Sequence, residues 1–165
     1  MDFTAHYQSP LGAITMASDG TRLVGLWFDG QRFYADSLTS AHCERPGLEI
    51  FADTRRWLDI YFSGRDPGFV PPLLMRTSAF RQRVWQEMLA IPFGCTATYG
   101  QIARRIAQGA AGVSAQAVGG AVGHNSISLI IPCHRVVASD GSLTGYAAGL
   151  ERKAALLNME KNGKL

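Results

Sequence analysis

Two consecutive prolines, Pro71 and Pro72, divide this chain of 165 residues into two parts with different sequence patterns. Proline lacks a backbone N–H and restricts the residue before it, so the pair interrupts any helix or central strand that reaches it. Strand-like segments open the part before the prolines, whereas helical spacing dominates the part after them. We therefore expect a mixed α/β (α+β) chain with two domains, residues 1–75 and residues 76–165.

The first domain is predicted to be a sheet covered by a helix. Residues 13–28 have the pattern of a β-hairpin with a turn at Asp19-Gly20. Apolar residues recur at helical spacing over residues 48–62, and Ser63-Gly64 ends that run. The segment shows no convergent cluster of polar side chains, so we assign it a scaffold role without chemistry.

Three helices are predicted after the prolines, and each begins at a hydroxyl side chain that can accept a backbone hydrogen bond. Their expected N-caps are Ser78, Thr98 and Ser114. The first helix ends before Pro92, and Gln101 completes a capping box in the second. A loop over residues 108–113 joins the second and third helices, an arrangement typical of a helix-turn-helix.

The third of these helices, residues 115–122, carries almost only small side chains. Its Gly119-Gly120 pair costs about 1 kcal/mol per glycine relative to alanine. Close packing inside the protein is one explanation for such residues. Close approach to a DNA backbone or a narrow minor groove, where large side chains would clash, is the other.

Positive charge is concentrated in the second domain. Residues 1–75 contain six Arg and nine acidic residues, whereas residues 76–165 contain ten Lys or Arg and four acidic residues. Basic side chains gain free energy by releasing counterions from a phosphate backbone, so the asymmetry suggests a polyanionic partner. Alone the signal is weak, because many domains carry such a charge for solubility.

The composition indicates a folded chain. Hydrophobic residues make up 47% and charged residues 18%, a balance that argues against disorder. No apolar run approaches the roughly 18 to 20 residues of a membrane-spanning helix. The N-terminus lacks the basic start and apolar stretch of a secretory signal. We therefore expect a cytoplasmic protein with no membrane partner.

Cysteine usage points to reduced thiols. Cys43, Cys95 and Cys133 are an odd number without a paired CxxC spacing, which fits neither a disulfide framework nor a zinc knuckle. His6 and His42 could join Cys43 at a zinc ion, but their spacing matches no strong ligand pattern. We predict no catalytic metal and no cofactor.

The chemistry is expected at residues 132–137, Pro-Cys-His-Arg-Val-Val, which follow a predicted buried strand over residues 127–131. Cys133 stands beside His134 and Arg135, an electropositive setting that favours the nucleophilic thiolate. Adjacent strand residues point to opposite faces, and Pro132 provides a reason for the irregular backbone that lets His134 reach Cys133 through water. An inert buried thiol is the alternative interpretation.

Further groups downstream complete this candidate site. Asp140-Gly141 forms a turn, and the wing that follows can wall a pocket with the flat face of Tyr146. A closing helix is predicted over residues 151–160. Glu160 on that helix is a candidate carboxylate partner that would orient the imidazole of His134.

Residues 131–137 resemble the signature of the O6-alkylguanine-DNA alkyltransferases, also called methylated-DNA-protein-cysteine methyltransferases. The resemblance covers about residues 78–160. Further matching positions are Phe80, Val84-Trp85, Ile91-Pro92-Phe93-Gly94, Thr98-Tyr99-Gly100, Ala117-Val118-Gly119-Gly120-Ala121, Asn125, Leu143-Thr144-Gly145-Tyr146, Leu156-Leu157 and Glu160. The first domain resembles that family only at residues 9–12 and in its hairpin. The resemblance implies a ribonuclease-H-like first domain and a winged helix-turn-helix alkyltransferase domain.

What this resemblance implies is irreversible transfer of an alkyl group from O6 of guanine, and often O4 of thymine, to the sulfur of Cys133. The protein would be consumed in one turnover. His134 would act as a base through water, and Glu160 would polarise His134. Asn125 would tie the helix-turn-helix to the cysteine segment, and Tyr99 would be the donor to the departing guanine.

The implied partner is double-stranded DNA containing O6-alkylguanine, bound by a monomer. The damaged nucleotide would rotate out of the duplex from the minor-groove side. The amide of Ala147 would contact the alkylated oxygen, and the carbonyls of Cys133 and Val136 would contact the exocyclic amine. The expected substrate- and DNA-binding residues are Ala115, Gln116, Ala117, Gly119, Arg135, Val136, Tyr146 and Ala147.

Gln116 departs from the family pattern, in which an arginine commonly fills the stack vacated by the rotated base. The chain also carries about three extra residues between Tyr99 and Gln116. A neutral glutamine can still occupy the gap and hydrogen-bond the orphaned base, but it gives up a positive charge. We expect weaker DNA affinity and retained function.

Three other functions are weighed against this one. An alkyltransferase-like protein binds damaged bases but lacks the acceptor, and the presence of Cys133 argues against it. A thiol hydrolase would turn over an ester or amide without DNA. A helix-turn-helix regulator would bind a specific sequence and would keep that function after Cys133→Ala.

Overall fold

A four-stranded sheet forms the first part of the protein in a computed structural model that describes residues 1–108 and 112–165. Its strands are β1 (Asp2–Ser9), β2 (Gly12–Ser18), β3 (Leu23–Phe28) and β4 (His42–Glu44). The spatial order is β3-β2-β1-β4, with β4 parallel to β1 and the other neighbours antiparallel. The hairpin predicted over residues 13–28 is confirmed, and the side chain of Asp19 accepts from the backbone N–H of Thr21 and Arg22 in its turn.

One long helix, α1 (Glu49–Phe62), covers this sheet, as its apolar spacing predicted. Its buried face contains Ile50, Phe51, Thr54, Trp57, Leu58 and Tyr61. On the other face of the sheet, Val24 and Trp27 pack with Leu38 and Leu74 in a smaller cluster. Every residue of β3 is therefore buried.

The second part is mainly helical. It contains α2 (Ala79–Leu89), β5 (Ala97–Thr98), α3 (Tyr99–Ala107), α4 (Ala115–Gly123), β6 (Val136–Val137) and α5 (Leu150–Asn162). All three predicted caps are confirmed, including the capping box of Thr98 with Gln101. The helices α3 and α4 form the predicted helix-turn-helix pair. Of the predicted loop over residues 108–113, residues 109–111 lie outside the described residues.

The prediction of a buried strand over residues 127–131 is wrong. These residues form a tight turn in which the N–H of Ile131 donates to the carbonyl of Ile127 at 3.1 Å and Leu129 has a φ of 70°. The side chain of Asn125 holds the turn from inside, because it accepts from the N–H of Ile127 and donates to the carbonyl of Ile131. The apolar run correctly predicted burial, but a short buried run does not specify a strand.

The predicted wing is also simpler than a hairpin. The turn at residues 138–142 is present, with the N–H of Ala138 donating to the carbonyl of Ser142 at 3.1 Å. The residues that follow, 143–149, have no strand partner and form a loop. β6 pairs instead in parallel with β5, which places the end of the cysteine segment beside the start of α3.

The outer edge of β3 joins the two parts of the chain. Its residue Leu23 exchanges backbone hydrogen bonds with Pro72 and Leu74, and Leu26 exchanges them with Ser126 and Ser128, all at 2.8–2.9 Å. One hydrophobic core extends through both parts. The mixed α/β class is confirmed, while the boundary at residue 75 stays a prediction. Across residues 1–108 and 112–165, no helix combines the length and apolar character needed to cross a membrane.

A buried ion pair fastens β1 to the segment that follows the prolines. Asp2 is 2% exposed, and its carboxylate accepts from both terminal nitrogens of Arg76 at 2.6 and 2.9 Å. The N–H of Thr39 donates to the same carboxylate at 2.9 Å. The hydrogen bond from Arg76 is the main reason why the pKa of Asp2 lies at about 2.

We expect Asp2→Asn to destabilise the protein in a pH-dependent way. The folded pKa of Asp2 lies below its unfolded value, so the stabilisation is complete above about pH 4 and disappears as the pH falls through about 2. The variant should lose on the order of 2 kcal/mol of unfolding free energy at pH 7. Urea unfolding at pH 7, 4 and 2.5 measures this, and a loss that does not shrink at low pH would contradict it.

Candidate active site

The carboxylate of Glu160 is the centre of a buried polar cluster. Its side chain has no solvent exposure, and its Oε2 lies 2.6 Å from Nε2 of His134. Its Oε1 accepts from Nε of Arg135 at 2.8 Å and from the backbone N–H of Gly94 at 3.0 Å. Burial alone would raise the pKa of Glu160, but His134 and Arg135 outweigh burial and lower it to about 2. Glu160 is therefore an ionised acceptor inside the protein.

The candidate nucleophile opens a short 3-10 helix, Cys133–Arg135, that leads into β6. Pro132 precedes it with φ −83° and ψ 70°, which confirms the expected irregular backbone. In a strand, Cys133 and His134 would point to opposite faces. In this turn both side chains are buried, with exposures of 4% and 0%.

The Cys133 thiol is less acidic than the sequence indicated. Burial raises its pKa, while a hydrogen bond from the side chain of Asn125 and the positive charge of Lys153 act in the opposite direction. The guanidinium of Arg135 is committed elsewhere, because it binds Glu160 and donates to the carbonyl of Ile91 at 2.8 Å. The thiol therefore keeps its proton at neutral pH and needs a base to become a nucleophile.

His134 is positioned to be that base. Burial lowers its pKa, so the imidazole is neutral at neutral pH. The contact with the Glu160 carboxylate assigns the imidazole proton to Nε2, by the rule that a carboxylate partner fixes the tautomer. Nδ1 is buried and has no hydrogen-bond partner among the described residues. Its lone pair is available for a proton.

Two buried residues of this cluster were missed by the sequence analysis. Lys153 is completely buried, and its Nζ donates to the carbonyls of Val136 at 2.6 Å and Thr144 at 3.0 Å. A signal existed, because Lys153 and Glu160 are seven residues apart and share the buried face of α5 with Leu156. Two charges on an apolar helix face indicate a buried polar site.

The other missed residue is Tyr61 of α1, whose hydroxyl donates to Oε2 of Glu160 at 2.6 Å. The prediction that the first domain contributes no chemistry-bearing group to the site is therefore wrong. Tyr61 occupies one of the apolar-periodic positions of α1, so nothing in the local pattern distinguishes it from a core aromatic residue.

An open cleft of about 430 Å³ lies beside the cluster. It is lined by Arg32, Phe33, Tyr99, Gly119, Gly123, Gly145, Tyr146, Ala147, Gly149 and Leu150. Tyr146 connects the cleft to the nucleophile: burial raises its pKa well above the ordinary value, and the neighbouring Cys133 adds to that effect. Tyr99 donates its hydroxyl hydrogen to the carbonyl of Thr144 at 3.1 Å. Arg32 donates its backbone N–H to the carbonyl of Ala147 at 3.0 Å, which holds the loop of the cleft.

The exposed face of α4 carries mainly small side chains, and we call it the smooth face. Its first three residues, Ala115, Gln116 and Ala117, are all exposed. A methyl group on Gly120 would meet no atom within 4 Å, and one on Gly119 would make only an ordinary contact with the ring of Tyr99 at 3.9 Å. Close packing inside the protein therefore does not require these two glycines, which favours the explanation by close approach of a partner.

The assignment of Arg135 to the DNA-binding residues stays a prediction, and the structure places this residue inside the protein. Its side chain is buried, its Nε and Nη2 bind Glu160 at 2.8 and 3.2 Å, and its Nη1 donates to the carbonyl of Ile91 at 2.8 Å. Val136 is buried as well, and its carbonyl already accepts from Lys153. Within residues 1–108 and 112–165, no group of three or more His, Cys, Asp or Glu side chains is placed to hold a metal ion.

Comparison with known proteins gives matches over nearly the whole chain. The family models for 6-O-methylguanine DNA methyltransferase match over residues 3–74 (ribonuclease-like domain) and residues 79–162 (DNA binding domain). A methylated-DNA–protein-cysteine methyltransferase of Mycobacterium tuberculosis is 43% identical over 95% of this chain and 93% of its own length. One from Haemophilus influenzae is 38% identical over 96% of this chain and 86% of its own length.

Solved structures of similar proteins share the same fold. A crystal structure of the M. tuberculosis O6-methylguanine methyltransferase superposes with a TM-score of 0.86 at 39% identity, over 100% of this chain and 96% of the other. A crystal structure of M. tuberculosis OGT in complex with DNA superposes with a TM-score of 0.85 at 39% identity, over 99% and 94%.

We expect Lys153→Gln to make the Cys133 thiol less acidic. Glutamine keeps an N–H donor for the Val136 carbonyl but removes the positive charge that opposes the effect of burial on the thiol. Alkylation of the Cys133 peptide by iodoacetamide at pH 7.5, followed by mass spectrometry, should slow about tenfold for each unit by which the pKa rises. Lys161→Gln, an exposed change on the same helix, is the control. A rate within twofold of the unsubstituted protein would contradict the assigned role.

Proposed function

Since this chain belongs to the 6-O-methylguanine DNA methyltransferase family, we propose that Cys133 accepts the alkyl group from O6 of guanine in DNA and is consumed in doing so. As a methylated-DNA–protein-cysteine methyltransferase, the protein repairs DNA by alkyl transfer. The observation that carries the proposal is the buried Cys133 thiol next to a neutral His134 that is held by Glu160. That arrangement is the nucleophile, base and orienting group required for covalent transfer.

The reaction begins with a proton transfer. The Cys133 proton passes through a water molecule to Nδ1 of His134, the ring nitrogen without a hydrogen-bond partner in residues 1–108 and 112–165. The imidazolium that forms is stabilised by the ionised carboxylate of Glu160 at its Nε2–H. Separating charges inside a buried site otherwise costs free energy, so the Glu160 carboxylate lowers the free energy needed to form the thiolate.

The alkyl transfer follows as an in-line displacement. The thiolate sulfur forms a bond to the alkyl carbon while the bond from that carbon to O6 of guanine breaks. The guanine anion then takes a proton, and we assign Tyr99, a phenol that lines the cleft, as the donor. Burial raises the pKa of Tyr99, so its hydroxyl stays protonated. To donate to guanine, this hydroxyl must break its hydrogen bond with the Thr144 carbonyl. The imidazolium of His134 then gives its proton through water to the Tyr99 phenolate, so that the base and the donor are both neutral again.

The same cleft supports recognition of a rotated nucleotide. O6 of guanine is inaccessible inside a duplex, so the nucleotide must leave the stack at a cost of a few kcal/mol. The smooth face of α4 lets the duplex approach from the minor-groove side, where Gln116 can enter the vacated stack. The Ala147 amide would bind the alkylated oxygen. The carbonyls of Cys133 and Val136 would bind the exocyclic amine, the latter through the lone pair that Lys153 leaves free.

The product is a thioether, which no group in the cluster can reverse. Cleavage of the new S–C bond would require a second nucleophile aligned with the alkyl carbon. The Cys133 side chain is surrounded by Asn125, His134, Tyr146 and Lys153, which act here as hydrogen-bonding or charged groups. We infer a single turnover by a cytoplasmic monomer, and we extend the substrate to O4-alkylthymine, which presents an analogous alkylated oxygen.

Intact mass spectrometry tests this function. After incubation with a duplex containing one O6-methylguanine, the protein should gain about 14 Da once, because one methyl replaces one thiol proton. The gain should map to Cys133 and should be absent with an undamaged duplex and in Cys133→Ala. A duplex containing O4-methylthymine tests the extended substrate range. Tight binding without any mass gain would contradict the proposal and favour a damage-recognition protein.

A further inference from the structure

Tyr61 brings the first part of the chain into the reaction centre. It is the penultimate residue of α1 and is completely buried. Its hydroxyl oxygen lies 2.6 Å from Oε2 of Glu160 and 3.1 Å from Nε2 of His134, and those two atoms are 2.6 Å apart. Three atoms from α1, α5 and the 3-10 helix thus form a closed triangle.

The protons in this triangle can be assigned from its chemistry. Burial and the neighbouring Glu160 raise the pKa of Tyr61 well above its ordinary value, so the phenol keeps its hydrogen. An ionised carboxylate has no hydrogen to give, so Tyr61 donates to Glu160. The lone pairs of the phenol oxygen are then directed to its other neighbour, Nε2 of His134. Both neighbours of Nε2 are acceptors, which fixes the imidazole hydrogen on Nε2.

We propose that Tyr61 is a positioning residue that sets the basicity of His134 through Glu160. The Tyr61 hydroxyl donates to the same carboxylate oxygen that accepts from the imidazole. It therefore weakens the hydrogen bond between Glu160 and His134. The first domain thereby tunes the base that activates Cys133. This inference rests on the proposed function and adds to it a residue outside the helix-turn-helix part of the chain.

The polar and packing roles of Tyr61 can be separated. Its ring stacks on Trp57 with centroids 5.0 Å apart and contacts Phe93 edge-on at 6.0 Å. Tyr61→Phe keeps both contacts and removes only the hydroxyl. A matched control exists in the same part of the chain, because the half-buried Tyr7 also donates to a carboxylate at 2.6 Å, that of Asp59, which is not part of the Glu160 cluster.

Loss of the hydroxyl has a predictable sign. Tyr61→Phe removes a donor to Glu160 and a weak acceptor 3.1 Å from Nε2 of His134. The charge-assisted bond from Nε2–H to the carboxylate at 2.6 Å is the stronger contact, so its strengthening outweighs the lost acceptor and raises the pKa of His134. The base is then protonated at a higher pH, so alkyl transfer is lost first in acid. The charged and titratable groups that face His134 are Glu160, Lys153, Arg135, Cys133, Tyr61 and Tyr146. All of them except Tyr61 are unchanged in the variant.

The test is the pH dependence of single-turnover methyl transfer from an O6-methylguanine duplex. For Tyr61→Phe we expect the acid limb of the rate profile to move to higher pH by about half to one unit, with a rate at pH 8.5 within twofold of the unsubstituted protein. The Kd for DNA should stay unchanged, and Tyr7→Phe should behave as the unsubstituted protein. An equal loss at all pH values, or no loss, would overturn the inference.

A second measurement does not depend on DNA. The His134 imidazole is titrated by NMR in the free protein, for the unsubstituted chain and for both tyrosine variants. The inference predicts a higher midpoint in Tyr61→Phe only, and equal midpoints overturn it. Failure of the unsubstituted protein to transfer methyl would reject the proposed function, and this titration would still decide the role of Tyr61.

Discussion

The buried carboxylate of Glu160 is the interaction on which the site depends. An ion without solvent contact costs several kcal/mol unless it is paired and hydrogen-bonded, and four separate groups satisfy this one. They come from α1, from the loop after α2, and from the 3-10 helix, while Glu160 itself comes from α5. The charge therefore fixes the mutual position of four segments that are far apart in the chain. Breaking one contact affects the base, the nucleophile and the contact between the two parts together.

This arrangement explains how a nucleophile that we propose to act only once can remain inactive until it is needed. Burial keeps the Cys133 thiol protonated, and thiols react with oxidants mainly as thiolates. Lys153 and Asn125 reduce the cost of forming the thiolate without making it the resting state. His134 stays neutral, and its Nδ1 has no hydrogen-bond partner in the part of the chain that the structure describes. The two exposed cysteines, Cys43 and Cys95, lack this protection.

Local sequence patterns predicted most of the helices and strands and part of the polar cluster around Cys133. Hydroxyl caps, helical spacing and the cysteine heptad are short-range signals, and the helices and the Cys133–His134 pair followed from them, whereas Glu160 was a candidate partner whose role rested on the family resemblance. The turn at residues 127–131 was missed because the side-chain hydrogen bonds of Asn125 override an apolar pattern. Tyr61 was missed because its partner is 99 residues away along the chain. The ion pair of Arg135 with Glu160, 25 residues further along the chain, was missed for the same reason.

The proton positions around Glu160 test the central claim most directly, and neutron diffraction from crystals of the free protein at neutral pH would show them. The account predicts deuterium on Nε2 of His134 and on the sulfur of Cys133. It also predicts deuterium on the Tyr61 oxygen along the line to Glu160, and none on Nδ1 of His134. Deuterium on Nδ1 of His134 would contradict the account, because no lone pair would then be available to take the proton of the thiol.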